Sequence, residues 1–297
     1  MEGRVIRVSG LQHLVEIEGA YWQCEIRGRL KDGSRVASSP VVVGDRVAVL
    51  PTGKNVGVIE TVQPRFTKFS RRASGSRPFE QIVAVNIDQL VVVASILEPA
   101  FRPGFIDRAV VMGIKGGLEP VICINKIDLD VKGARFSLGD LYRDLGYAVA
   151  YTSARTGEGV GEAKKLLQNR VSVVIGQSGV GKSSLLNCIE PGLAIKTQEL
   201  MKQHDRGRHT TTAVQLYPLR EGGEVADTPG VKELWLWGIE AEELVEYFVE
   251  MAPLVRECRF RDCSHLREPG CAVRQAVEQG GIATLRYEGF CRILESL

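Results

Sequence analysis

The chain has 297 residues, and its longest apolar stretch, Leu90 to Leu97, spans eight residues and is already broken by Ser95. A membrane-spanning helix needs roughly 18–20 such residues, so none is expected. The opening MEGRVIRVSG has no apolar signal region, and together these absences predict a soluble cytoplasmic protein with no membrane partner. Proline is scarce, at 12 residues, and glycine, at 32, is only modestly above its usual share of about 7%. Low-complexity, collagen-like and mucin-like classes are thereby excluded. An even cysteine count is missing too: there are seven. In a reducing compartment, clustered cysteines read as metal ligands rather than disulfides. Cys24, Cys123, Cys188 and Cys291 stand apart and read as packing residues. What remains is 44% hydrophobic and 25% charged, enough for a core and for two or three domains.

The net charge of +2 hides an asymmetry, because residues 1–72 hold 12 Lys/Arg against 7 Asp/Glu. Residues 1–68 alternate apolar and polar positions in short runs, such as His13–Glu18 and Arg46–Leu50, broken at Gly19, Gly33 and Gly53. The pattern predicts about five strands closed into an OB-fold β-barrel. Such barrels commonly bind oligonucleotides, and a barrel that only packs on its neighbour is the alternative. RFTKFSRRASGSR (65–77) carries five positive charges and no acid. It reads as a flexible linker, either touching phosphate or simply solvated.

Across residues 69–235 apolar strands alternate with helical patterns: Leu90–Ile96 then Ile106–Lys115, Val121–Asn125 then Leu138–Leu145, Ala148–Thr152 then Val160–Asn169, and Val171–Ile175 then Lys182–Ile189. This predicts a doubly wound α/β domain on a mostly parallel sheet, with ligands at the C-terminal strand ends. Residues 236–297 carry an acidic stretch read as helical (Glu240, Glu242, Glu243, Glu246, Glu250), a Cys/His cluster and a helical tail from Ala272. A unit this small is short of core, and a metal would compensate.

Gly176-Gln177-Ser178-Gly179-Val180-Gly181-Lys182-Ser183 follows a strand and opens a helix, the context of a phosphate-binding loop. Its backbone N–H groups curl round phosphates, Lys182 reaches the β/γ oxygens and Ser183 ligates Mg²⁺. Asn125-Lys126-Ile127-Asp128 ends another strand, and its Asp128 carboxylate suits the N1–H and 2-amino donors of guanine. Ser153-Ala154 fits a companion guanine loop. Asp227-Thr228-Pro229-Gly230 places a carboxylate near Mg²⁺ and the Gly230 N–H near a γ-phosphate. In the polar run Gly207–Thr212, Thr211 is the threonine expected to close over Mg²⁺. The guanine-reading elements precede the phosphate loop, the reverse of the usual GTPase order, so the domain reads as circularly permuted.

Cys258-x4-Cys263-x-His265-x5-Cys271 brings three thiolates and an imidazole within fourteen residues. That donor set suits one structural zinc with no open position, free thiols being the alternative. Position 231, after Asp-Thr-Pro-Gly, is Val, which cannot hydrogen-bond water. His209 is then the candidate for the attacking water, an RNA-contacting or exposed histidine being the alternative.

GQSGVGKSS (176–184), NKID, DTPG, an OB-like N-terminus and a Cys/Cys/His/Cys unit together resemble the RsgA (YjeQ-type) GTPases of bacteria, over essentially the whole chain. The resemblance implies a cytoplasmic GTPase that binds GTP and GDP, with Ser184 at the end of the phosphate loop. It implies binding to the small ribosomal subunit and its rRNA during late maturation, with hydrolysis stimulated by the subunit and coupled to release. Lys182, Asp227, Thr211 and His209 are the expected catalytic set, Ser183, Thr211 and Asp227 the magnesium set, and a monomer the expected form.

Overall fold

The structure, a computed structural model, describes residues 1–28, 39–73, 79–130, 137–193, 214–228 and 234–297. The expected barrel is present. Strands β1 (Glu2–Ser9), β2 (Gln12–Ile17), β3 (Ala20–Ile26), β4 (Arg46–Gly53) and β5 (Val56–Val62) pair in the order β1-β2-β3-β5-β4, and β4 closes back on β1. β3 and β5 run parallel and the other pairs antiparallel, as in an OB-fold. The period-two alternation sends Val5, Val15, Ile17, Cys24, Val47, Val49 and Ile59 into one core.

Residues 65–73 of the basic segment are not the flexible linker its composition suggested, and residues 74–77 of it lie outside the described residues. β6 (Lys68–Arg72) and β7 (Glu80–Val85) form an antiparallel ribbon anchored by the fully buried Phe69. Its cations serve protein partners: Arg65 forks onto buried Asp45 with two 2.7 Å bonds, and Lys68 pairs with Glu80 at 2.7 Å. Among the described residues of that segment, phosphate contact is therefore left to Arg71, which already shares a bond with Gln81, and Arg72.

Six further strands follow: β8 (Gln89–Ser95), β9 (Glu119–Asn125), β10 (Ala148–Tyr151), β11 (Val171–Gly176), β12 (Gln215–Pro218) and β13 (Glu224–Asp227). They lie in the order β10-β9-β8-β11-β13-β12, parallel except for β12. Successive residues of β8 feed opposite cores. Leu90, Val92 and Ala94 pack towards α1 (Pro103–Lys115) and the C-terminal unit, while Val91 and Val93 pack towards α3 (Val160–Leu167) and α4 (Lys182–Ile189). Helix α2 (Ser137–Asp144) follows β9. β1 bridges to β12 through Arg7 and Gln215, and Arg4 pairs with Glu224, so the barrel is joined to the sheet edge.

The acidic stretch after residue 240 is a correction. Leu244, Val245, Phe248 and Met251 are buried at close to helical spacing, but the backbone closes tighter i→i+3 bonds, including Phe248 N–H to Val245 O. Only the 3₁₀ turns Leu244–Tyr247 and Ala252–Glu257 form, ahead of α5 (Ala272–Glu278) and α6 (Thr284–Leu294).

Nor does this small unit stand on a core of its own. Phe248, Met251, Phe290 and Ile293 share one cluster with Ile106 and Val110 of α1. At its centre Arg286 of α6 is buried, bonded to Asp107 of α1 and at 2.7 Å to Glu250, and its guanidinium lies 4.6 Å from the centre of the Phe248 ring. Tyr142 of α2 donates to Asp107 at 2.9 Å. Helix α6 approaches closely because Gly289 has no side chain; a Cβ there would lie 2.1 Å from the Asp107 carboxylate. Burial pushes the Asp107 carboxyl up, against the pull of Arg286 and Tyr142.

Replacing Arg286 with Met removes the cation between two carboxylates in a buried site. The expected cost is about 3–5 kcal/mol, read as a lower midpoint in chemical denaturation. An unchanged midpoint would mean that the cluster does not join the two units.

Candidate functional site

Four parallel strands, β9, β10, β11 and β13, end at one edge of the sheet, and the residues that follow them build the site. β11 runs into Gly176–Gly181 and then α4, so the first N–H groups of that helix face the loop opening. Gly179 and Gly181 both have left-handed φ, +84° and +86°. At Gly181 a close approach adds to the demand for glycine, since a Cβ would lie 2.4 Å from Asn125 Nδ2. Val180 is buried, while Ser183 is half-buried and Ser184 exposed at the start of α4. Free N–H groups at a helix start beside a glycine loop suit a multiply charged anion.

Asn125, the last residue of β9, is almost fully buried and bonds to two neighbouring loops. Its Nδ2 donates to Val180 O at 2.9 Å, and its Oδ1 accepts from Thr152 Oγ1 at 3.2 Å and from Ala154 N–H at 3.1 Å. One carboxamide thus fixes the phosphate-type loop and the Ser153-Ala154 loop to β9. Lys126 takes left-handed φ and donates to Glu98 O, and Ile127 N–H donates to Thr152 O at 3.2 Å. Asp128 lies in the following 3₁₀ turn, where the Ser153 hydroxyl donates to its Oδ1 and Arg155 pairs with its Oδ2 at 2.7 Å. Ser153 is itself buried and accepts from Thr156 N–H at 3.1 Å.

Across the loop opening, Lys182 forms an ion pair with Asp227 at the end of β13. Thr228 is buried and donates to Val174 O at 2.8 Å, holding the chain as it leaves that strand. His209, Thr211 and Gly230, with Val231, lie outside the described residues. Every other predicted residue of this site, from Asn125–Asp128 through Ser153-Ala154 and Gly176–Ser184 to Asp227, lies on these converging strand ends. Sequence reasoning gave no role to Thr152 or Thr228, which it named only within a strand and a motif, and missed Arg155; Thr152 was readable as the hydroxyl preceding Ser153-Ala154.

A second cluster lies in the C-terminal unit. The ligand atoms of Cys258, Cys263, His265 and Cys271 all fall within 4.8 Å of one another. His265 Nδ1 is 3.6 Å from Cys258 Sγ and 3.4 Å from Cys271 Sγ. A tetrahedral ion bound at ordinary metal–sulfur and metal–nitrogen distances sets that edge at about 3.6 Å, so the four donors fit one metal ion. Supporting bonds orient them: Arg274 N–H points to Cys271 Sγ at 3.5 Å, and Tyr287 donates to His265 O at 2.7 Å. Glu268 accepts from the hydroxyl and N–H of Ser264 and from the N–H groups of Leu266 and Arg267. Those bonds, the Ser264 hydroxyl foremost, hold its carboxyl down at about 2.

Comparison with known proteins agrees with this geometry. The family model of the RsgA GTPase matches residues 62–237. A small ribosomal subunit biogenesis GTPase RsgA of Moorella thermoacetica is 42% identical over 294 residues, covering 99% of this chain and 96% of its own. Its namesake from Klebsiella pneumoniae is 42% identical over 311 residues, covering all of this chain and 84% of its own. The crystal structure of YjeQ from Thermotoga maritima is 36% identical, covers 99% of this chain and 97% of its own, and superposes with a TM-score of 0.78. YloQ, described as a circularly permuted GTPase, gives 31% identity, coverage of 99% and 93%, and a TM-score of 0.74.

Asn125→Ala leaves Val180 O and Ala154 N–H without their side-chain partner. A loss of about 1–3 kcal/mol is expected, with faster amide hydrogen exchange at 152–154 and 176–181 than elsewhere in the sheet. Uniform exchange across the domain would show that the carboxamide does not hold these loops.

Proposed function

The chain belongs to the RsgA GTPase family, a circularly permuted GTP hydrolase with an N-terminal OB-fold barrel, and from that premise we propose how its residues serve the reaction. Asp128 reads the guanine N1–H and 2-amino group, with Ser153 and Ala154 closing the base pocket beside Lys126 and Ile127. The loop Gly176–Gly181 with Ser183 and Ser184 receives the phosphates. Lys182 leaves Asp227 for the β/γ oxygens. Asp227 and Ser183, with Thr211, would hold a magnesium ion, which when bound with GTP neutralises charge developing on the phosphates. His209 is the proposed partner of the attacking water and the Gly230 N–H a donor to the γ-phosphate.

The observation that carries this reading is the Asn125 bond to Val180 O, because it puts the guanine-reading turn and the phosphate loop at one opening. A base and a phosphate chain reached from one opening describe a nucleotide. Adenine offers no donor pair to Asp128, and an acceptor left unpaired costs kcal/mol.

In the same reading the protein acts on the small ribosomal subunit, whose biogenesis the names of its relatives give as theirs, and works in the cytoplasm as a monomer. The basic barrel (residues 1–68) contacts rRNA, the nucleotide domain spans 69–235, and residues 236–297 form the metal unit. Docking both outer units immobilises the loops between them, so that GTP favours binding to the subunit and hydrolysis favours release. The test is phosphate release with small subunits, with large subunits and with neither. Free protein is expected to turn over at about 10⁻⁴–10⁻² s⁻¹, small subunits alone to accelerate it, and His209→Ala to abolish the acceleration. Equal rates in all three mixtures would overturn the ribosomal role, and stimulation surviving in His209→Ala would remove His209.

The cluster Cys258, Cys263, His265 and Cys271 is proposed to hold one structural zinc, three thiolates and an imidazole being its characteristic donor set. Metal analysis of protein prepared without chelator should return one zinc per chain, and Cys263→Ala should return less. Since the unit shares its core with α1, metal loss is also expected to lower the melting temperature of the nucleotide domain. Full-length protein without zinc, or a melting temperature unmoved by chelator, would contradict the assignment.

A further inference from the structure

We propose that Arg155 is a displaceable cap on the guanine-reading carboxylate, competing with the base for Asp128 in the empty protein. The inference rests on the assignment of Asp128 as the guanine reader. Asp128 is nearly buried, with 9% of its side chain exposed, and both its oxygens are engaged. Oδ1 takes the Ser153 hydroxyl and Oδ2 takes Arg155 at 2.7 Å. The two partners differ in freedom. Ser153 is buried, and its hydroxyl is also held by Thr156 N–H. Arg155 leaves 72% of its side chain in solvent, and Asp128 is its one ion-pair partner among the described residues.

The backbone carrying Arg155 is fixed. Ala154 N–H is bonded to Asn125 Oδ1, Ser153 N–H to Glu158 O at 2.9 Å, and Gly157 N–H to Ser153 O at 2.9 Å. The guanidinium therefore leaves Asp128 by side-chain rotation alone, without opening the loop. A guanine edge needs an acceptor position on each oxygen of this carboxylate; Oδ1 keeps a second lone pair beside the Ser153 hydroxyl, whereas Arg155 covers Oδ2. Ser153 keeps the carboxylate oriented, while the exposed arginine is the partner that yields. In the empty protein the guanidinium satisfies Oδ2, which would otherwise be left without a partner on a nearly buried carboxylate. In the loaded protein the base donors replace it. Arg155 thus stabilises the empty state relative to the loaded one and weakens binding of GTP and GDP alike, easing nucleotide exchange.

The test is a titration of full-length protein with fluorescent GDP, comparing wild type, Arg155→Ala, Asp128→Ala and the double variant at low and high salt. An exposed ion pair of this kind corresponds to about a two- to fivefold effect. Arg155→Ala is expected to tighten GDP by that factor at low salt, the gain shrinking towards unity near 1 M salt as charges are screened. In the Asp128→Ala background the same change should have no effect, since no carboxylate remains to be capped. Arg155→Lys should fall between wild type and Ala. Unchanged or weaker binding by Arg155→Ala, with Asp128→Ala still strongly impaired, would overturn the cap and leave guanine reading intact. GDP affinity unmoved by Asp128→Ala would instead overturn the reading on which the cap depends.

Discussion

A single buried carboxamide ties the candidate nucleotide site together. Asn125 sits where β9 ends, and its three bonds reach the loop after β11 and the loop after β10. Strand order makes this possible: β9 and β11 flank β8, and β10 lies beyond β9, so three parallel strands release their chains at one edge. Gly181 follows from the same constraint, because a side chain there would collide with the Asn125 amide. The site is a property of the sheet, and connection order is free to vary around it. That is the physical content of the circular permutation. Cutting and rejoining loops elsewhere leaves the strand ends, and so the site, where they were.

The permutation has a structural consequence at its other end. The chain leaves β13 at Asp227 and, after the residues beyond Thr228, enters the segment from Leu234 that packs into the core shared with the C-terminal unit. Trp235 O accepts from Arg72 N–H at 3.0 Å, so that segment is also tied to the β6–β7 ribbon. Arg286, Asp107, Glu250 and Tyr142 close the arrangement from beneath by fastening α6 to α1 and α2. The barrel is thus joined to the sheet edge and the C-terminal unit to α1, each by packed or hydrogen-bonded elements.

Legibility followed how local the determinant was. The phosphate loop, Asn125–Asp128 and the Cys/His cluster were readable because chemistry fixes both residue type and spacing over a few positions. Most of the parallel strands were readable from short apolar runs such as Leu90–Ala94, Val121–Ile124 and Val173–Ile175. The ribbon β6–β7 was not, since Lys68–Arg72 contains one large apolar residue, Phe69, among charges, and its stability comes from a buried anchor and a distant partner strand. β12 is only four residues long and ends in Pro218. The turns after Glu240 bury residues at helical spacing without adopting the helix, so periodicity misled there. Arg286 and Arg155 were invisible for a common reason: their partners, Asp107 at 179 positions away and Asp128 in another loop, are brought near only by the fold.

The most direct measurement of the central claim is a crystal structure with a non-hydrolysable GTP analogue and magnesium. The account predicts guanine N1 and the 2-amino nitrogen at about 2.7–3.2 Å from the Asp128 oxygens, Arg155 swung clear, the phosphates against Gly176–Ser183, and Lys182 released from Asp227 onto them. A base that leaves the Asp128–Arg155 pair intact, or phosphates bound away from the loop that Asn125 holds, would contradict it.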